Sequence, residues 1–163
     1  FTMGEPLMMT NENLILLHQN FADAHEAIST LGELARRQGL VDETYLPAIL
    51  KREENFPTGL ELPVNIAIPH IDTGVKRSFV SIATLDQPVT FLNMDHSGDT
   101  LGAKIVFVFG ILNPKEQLEI LRRFARSFAQ KDKIQALVDS GSKKELIDSL
   151  NALLDNMLAI DFV

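Results

Sequence analysis

The 163-residue chain carries 22 acidic against 15 basic residues, a formal charge of −7, with 45% hydrophobic and 23% charged residues. That composition is globular, its length predicts one domain over 1–163, and its sign repels a phosphate backbone, so nucleic acid is not an expected partner. With no cysteine there can be no disulfide, thiolate metal site or cysteine nucleophile, which fits a cytoplasmic protein.

The opening "FTMGEPLMMTNENL" lacks a basic segment followed by an apolar one, and no run reaches about 18 apolar residues, so neither secretion nor membrane insertion is expected. Because Phe1 precedes Met3, residues 1–10 read as a flexible leader, partly foreign to the natural chain. "ENLILL" at 12–17 predicts a first strand. Helical spacing of Ala24, Ala27, Ile28, Leu31, Leu34 and Ala35 predicts a helix from Asp23 to Gln38, stopped by Gly39. A second helix is expected from Asp42 as N-cap to about Glu54, with Val41 stapled onto Leu46 and a local imperfection at Pro47.

The middle is strand-rich: "NIAIP" at 65–69, "FVSIATL" at 79–85, a short segment at 89–91 and "KIVFVFGIL" at 104–112. The last is apolar throughout, as in a central strand buried on both faces. Asn113, Pro114 and Glu116 then start a helix expected to bury Leu118, Leu121, Ala125 and Phe128. A short helix over 132–139 stops at Gly141, and the capping pair Ser142 and Glu145 opens a last one carrying Leu146, Leu150, Leu153 and Leu154. This order predicts a three-layer α/β/α domain with a mixed sheet of about five strands.

Phosphate-binding loops, dinucleotide fingerprints and the serine elbow are all absent from the sequence, and the four histidines show no compact ligand spacing, so no metal and no cofactor is expected. His18, His25 and His96 read as boundary or solvated residues. His70 differs, because "NIAIPHID" ends an apolar strand on a proline, a histidine and a turn. The ring is expected to stand exposed at a strand's carboxyl end, the rim where ligands bind in open α/β sheets. An imidazole of ordinary pKa is mostly neutral at pH 7, leaving a ring nitrogen free as a nucleophile or acceptor.

"REENFPTGLELPVNIAIPHID", residues 52–72, resembles the active-site region of the phosphotransferase-system (PTS) enzyme IIA proteins of the fructose and mannitol type: an Arg-Glu pair, a "PTG" loop, then "IAIPH" ending on a phosphorylated histidine. "GLVDETYLPAIL", "LDQPVTF" and "QLEIL" have counterparts too, so the resemblance spans about residues 12–155. "FPTGLEL", "DQPVTF", "NMD" and "EQLEIL" look most like the galactitol-specific branch. The resemblance implies a phosphocarrier that takes a phosphoryl group from phospho-HPr onto His70. It then passes the group to a cysteine of enzyme IIB, upstream of the membrane enzyme IIC. A chain without cysteine agrees with a IIA lacking a fused IIB.

By the same resemblance Arg52 is the cation for the phosphoryl oxygens, its planar fork suiting bidentate contact. Thr58 is a candidate hydroxyl donor, and Asp72 a weaker candidate for orienting the ring. Many members carry a second histidine near the start of the helix after the long strand. Gln117 stands at the nearest matching place, able to donate a hydrogen bond but not a charge. Arg122, Arg123 and Arg126 read as a solvated face. One alternative is a regulatory protein-binding module whose His70 phosphorylation controls a partner rather than transport. Another is a ligand-binding domain without phosphorylation, which requires a buried or blocked His70.

Overall fold

The computed structural model describes residues 6–161. Along the chain run β1 (Met8–Thr10), a 3-10 turn (Glu12–Leu14), β2 (Ile15–Gln19), α1 (Ala24–Arg37), α2 (Tyr45–Asn55), β3 (Gly59–Leu60), β4 (Ile66–Ala67), β5 (His70–Ile71) and β6 (Phe79–Leu92). Then follow β7 (Thr100–Gly110), α3 (Pro114–Ser127), α4 (Lys131–Val138), α5 (Lys143–Leu153) and β8 (Leu158–Ile160).

The strands form one mixed sheet in the order β3-β4-β7-β6-β1-β8, with β2 on β6 and β5 on β7. β7 is its spine. β6 lies antiparallel on one side of it and β4 and β5 parallel on the other. Its residues alternate between two cores, as the period of two in a strand requires. Ile105, Phe107 and Phe109 meet Ile120, Phe124, Phe128 and Ile134 from the C-terminal helices, while Val106 and Val108 meet Ile28, Leu31, Tyr45 and Ile49 from α1 and α2. The expected α/β/α layering is therefore the observed one, with eight strands among the described residues rather than about five.

Several local expectations need correction. Residues 8–10, assigned above to a flexible leader, are a buried strand: Met8 and Met9 pair with β8, and Met9 with Phe79 of β6. The expectation for residues 1–5 lies outside the described residues. The strand expected at 12–17 is β2 and starts only at Ile15, because Asn11 caps a 3-10 turn over 12–14. Segments 79–85 and 89–91 form one strand with an irregular register between Thr84 and Val89. Asp42 caps a turn and not α2: its carboxylate accepts the Thr44 N–H, and Thr44 takes the N-cap position. In α3, Leu118 is 58% exposed and Ala125 faces solvent. The buried phase runs through Ile120, Phe124 and Phe128, whose rings pack against Phe107 and Phe109 at 4.9–5.2 Å. Aromatic rings bury more area than leucine or alanine, so they set the phase.

β4 and β5 are one strand with a gap. Ile66 and Ala67 pair with Ile105 and Val106, and His70 and Ile71 with Phe109 and Gly110, in unbroken register. Pro69 accepts the Phe109 N–H at 2.9 Å but has no N–H to return, so the ladder loses a bond just before His70. Opposite Ile71 and Phe79, Gly110 has no room for a side chain: a Cβ there would press into the Phe79 ring and lie 2.9 Å from Val75. Gly110→Ala is therefore expected to lower unfolding free energy by about 1–3 kcal/mol, as overpacked cores do, measured by chemical denaturation.

Candidate active site

His70 lies at the start of β5 and is only 6% exposed. The expectation of an exposed ring is corrected. The strand places the imidazole beside Phe109 of the sheet's spine, and Arg52 at the C-terminal end of α2 closes over its outer nitrogen. Nδ1 lies 2.7 Å from the Ile68 carbonyl, and Nε2 lies 3.4 Å from a terminal nitrogen of Arg52. A carbonyl can only accept and a guanidinium can only donate. The neutral ring therefore carries its proton on Nδ1 and its lone pair on Nε2.

Arg52 has no carboxylate partner among the described residues, and its buried Nε finds no acceptor. Its guanidinium instead lies 5.3 Å from the centre of the Phe56 ring, a cation–π contact. Phe56, 53% exposed, also meets His96 edge-on at 6.3 Å. Burial disfavours the imidazolium, so the His70 pKa falls below the ordinary value; the Ile68 bond opposes this and the Arg52 charge adds to it.

Thr58 is buried, and both of its donors are committed to Glu53. Its N–H reaches Oε2 at 2.9 Å and its hydroxyl bonds to the same carboxyl group. It stands behind the site in this structure rather than offering its hydroxyl to it. Burial pushes the Glu53 pKa up to about 7, against the Thr58 bonds and the Arg52 charge, which lower it. Gln117 sits half-buried in the first turn of α3, its N–H on the Asn113 carbonyl, and its side chain makes no hydrogen bond to His70, Arg52 or Thr58. Asp72 is exposed and does not touch the ring by a hydrogen bond. Arg123 pairs with Glu119 at 2.9 Å, while Arg122 and Arg126 are exposed as expected.

Sequence reasoning missed Glu53 and Phe56. The Arg-Glu pair was visible in the sequence. That the second member reaches Thr58, and that Phe56 covers the first, depends on how α2 ends. No group of three or more His, Cys, Asp or Glu among the described residues is placed to hold a metal ion. Nor is any helix among them long and apolar enough to cross a membrane.

Fold and site together define an α/β/α domain that holds one histidine in a single tautomer against an unpaired guanidinium at the end of its central ladder. The family model for the phosphoenolpyruvate-dependent sugar phosphotransferase system, EIIA 2, matches residues 8–153. The galactitol-specific EIIA component of Escherichia coli K12 is 30% identical over 121 residues, 73% of this chain and 80% of that one. A mannitol-specific enzyme IIA component of Bacillus subtilis is 30% identical over 148 residues, covering 88% and 96%. Among solved structures, IIA mannitol from E. coli superposes with a TM-score of 0.71 at 25% identity, covering 85% of this chain and 96% of that one. An E. coli complex of enzyme IIA mannitol with phosphorylated enzyme IIB mannitol reaches 0.71 at 24%, covering 86% and 95%. The chain belongs to the EIIA 2 family of the sugar phosphotransferase system and is a phosphotransferase component.

The two shifted groups bias stability in opposite directions. The His70 contribution is full above the ordinary imidazole pKa and is lost as pH falls through the lowered one. That of Glu53 is full below the ordinary carboxylate range and is lost as pH rises through about 7. Such a rise costs on the order of 3 kcal/mol at alkaline pH. Glu53→Gln is expected to leave stability at pH 5 nearly unchanged and to raise it at pH 8, read from denaturation midpoints at both pH values.

Proposed function

We propose that this chain is the phosphocarrier of a sugar phosphotransferase system, that His70 is the residue phosphorylated, and that Nε2 is the atom that carries the group. The observation that carries the reading is the pairing of a lone pair with an unsatisfied cation. The Nδ1–H donates to the Ile68 carbonyl, and Nε2 faces Arg52, whose buried Nε lacks an acceptor. A buried unpaired donor costs about 1–3 kcal/mol. An arriving phosphoryl group would supply the missing acceptor.

In the forward step the Nε2 lone pair attacks phosphorus in line as the bond to the donor's imidazole nitrogen breaks, its electron pair returning to that ring. The proton stays on Nδ1 throughout, donated to the Ile68 carbonyl. Arg52 must move off Nε2 onto the phosphoryl oxygens, where its charge offsets theirs in the transition state. A phosphohistidine donor is already activated, so positioning and electrostatics suffice and neither metal nor nucleotide is needed. In the second step the thiolate of an enzyme IIB cysteine attacks the same phosphorus, and the pair returns to Nε2.

The donor on this reading is phospho-HPr and the acceptor an enzyme IIB serving a membrane enzyme IIC in the cytoplasm. Support comes from family membership and from the E. coli mannitol protein, which forms a complex with phosphorylated enzyme IIB. Galactitol and mannitol, named for the two curated relatives, are both hexitols, so hexitol uptake is the class proposed. The burial of His70 is what a non-phosphorylated ligand domain requires. Its outer nitrogen, however, faces an arginine side chain that itself lies against an exposed phenylalanine.

Incubation with phosphoenolpyruvate, enzyme I and HPr, followed by intact mass at neutral to basic pH, is expected to add one phosphoryl group that His70→Ala abolishes. An unmodified chain with two different active HPr proteins would refute the reading, as would a modification surviving in His70→Ala. Arg52→Ala is expected to slow phosphorylation on the order of a hundredfold, with Arg52→Lys between it and the wild type, by rapid-quench kinetics. Because His70 stays neutral below the ordinary imidazole range, the rate is expected to hold as pH falls through 6.5 and to drop only at lower pH.

A further inference from the structure

β3 and β4 pair antiparallel, Gly59 with Ala67 and Leu60 with Ile66. The next pair along this ladder is Thr58 with Ile68. It is a hydrogen-bonding position, since the Ile68 N–H donates to the Thr58 carbonyl at 3.2 Å. At such a position the two residues normally exchange both bonds, the Thr58 N–H returning to the Ile68 carbonyl. Here it does not return. The Thr58 N–H goes to Glu53 Oε2 at 2.9 Å, and the Ile68 carbonyl faces His70 Nδ1 at 2.7 Å instead. On its other side Pro69 accepts the Phe109 N–H of β7 at 2.9 Å but has no N–H of its own for that ladder.

We infer that Glu53 is a positioning residue for His70: by drawing off the Thr58 N–H it leaves the Ile68 carbonyl to orient the imidazole and keep its proton on Nδ1. The inference rests on the phosphocarrier reading for its consequence in catalysis, though not for its geometry. Glu53 follows Arg52 in α2, so one helix end supplies both the group over Nε2 and the group that fixes Nδ1. The carboxylate also takes the Thr58 hydroxyl, so Thr58 is held twice and its carbonyl stays aligned on Ile68. Without an acceptor at position 53, the Thr58 N–H closes the ladder onto Ile68. The His70 Nδ1–H then shares the carbonyl with a second donor that draws it into the ladder, which weakens the ring's preference for one tautomer and one angle.

The test uses the full chain, labelled with nitrogen-15 and unphosphorylated, with the His70 ring read from long-range proton–nitrogen spectra. The wild type is expected to show a single Nδ1-protonated tautomer. In Glu53→Ala the ring signals are expected to move toward the average of the two tautomers. Phosphorylation from phospho-HPr should then slow on the order of tenfold, the scale at which removing an outer orienting partner acts elsewhere. Glu53→Gln is expected to restore both readouts, because its amide oxygen can accept the Thr58 N–H while its NH2 group donates to the hydroxyl. Glu53→Met, of similar length and without an acceptor, carries the same expectation where Glu53→Ala does not fold. A wild-type tautomer and rate in the apolar variants would overturn the inference, as would Glu53→Gln being as impaired as they are. If the wild type takes no phosphoryl group, the phosphocarrier reading fails, while the tautomer comparison still decides the part played by Glu53.

Discussion

The hydrogen bond from His70 Nδ1 to the Ile68 carbonyl is the contact around which the site is organised, and it exists because the β3–β4 ladder is left incomplete at one residue. The gap is made by Glu53, which takes the donor that the ladder toward β3 would have used. On the β7 side Pro69 accepts the Phe109 N–H and has no donor to give. Inside a regular ladder this carbonyl would accept the Thr58 N–H; here it is left to the histidine. The register on β7 is nevertheless continuous on both sides of Pro69, Ala67 with Val106 and His70 with Phe109. The strand keeps its direction while one bond is removed.

The electrostatics follow from the same placement. Arg52 is carried by α2 to a position with no carboxylate partner within ion-pair distance among the described residues, next to a ring that burial keeps neutral. The chain's net charge is −7, yet the site presents a positive group whose natural complement is an anion. Glu53 alone would cancel it, but its carboxylate is turned to Thr58, and burial raises its pKa to about 7, so part of the population carries no charge near neutrality. Arg52 thus stays unpaired beside a carboxylic acid that neighbours it in sequence.

Much of this was legible before the fold was known. The histidine at the end of "NIAIPH", the arginine of "REEN", the continuous apolar run of β7 and the capping signals of α1, α3 and α5 are all local patterns, and each is found at its expected place. What was not legible depended on partners distant in the chain. β1 and β8 are three residues each and pair with one another across the ends of the sequence. Segments that short carry almost no periodicity of their own. The buried face of α3 was misplaced for a related reason: Leu118 and Phe124 are both apolar, and only the edge-to-face packing on Phe107 and Phe109 selects the second. Asp42 was a sound cap by residue type, but its carboxylate went to a turn one residue short of the helix.

By itself the sequence determined the order of the five helices and the longer strands and the three-layer arrangement, because hydrophobic period and caps act over a few residues, while His70 and Arg52 were singled out with the help of the resemblance carried by residues 52–72. Only the tertiary structure decided that the ring is covered, that Thr58 faces Glu53, and which nitrogen of His70 keeps the proton. Those depend on which donor meets which acceptor when α2, the β3–β4 hairpin and β7 are brought together. Each donor and acceptor here has more than one partner within reach, so the choice belongs to the packing.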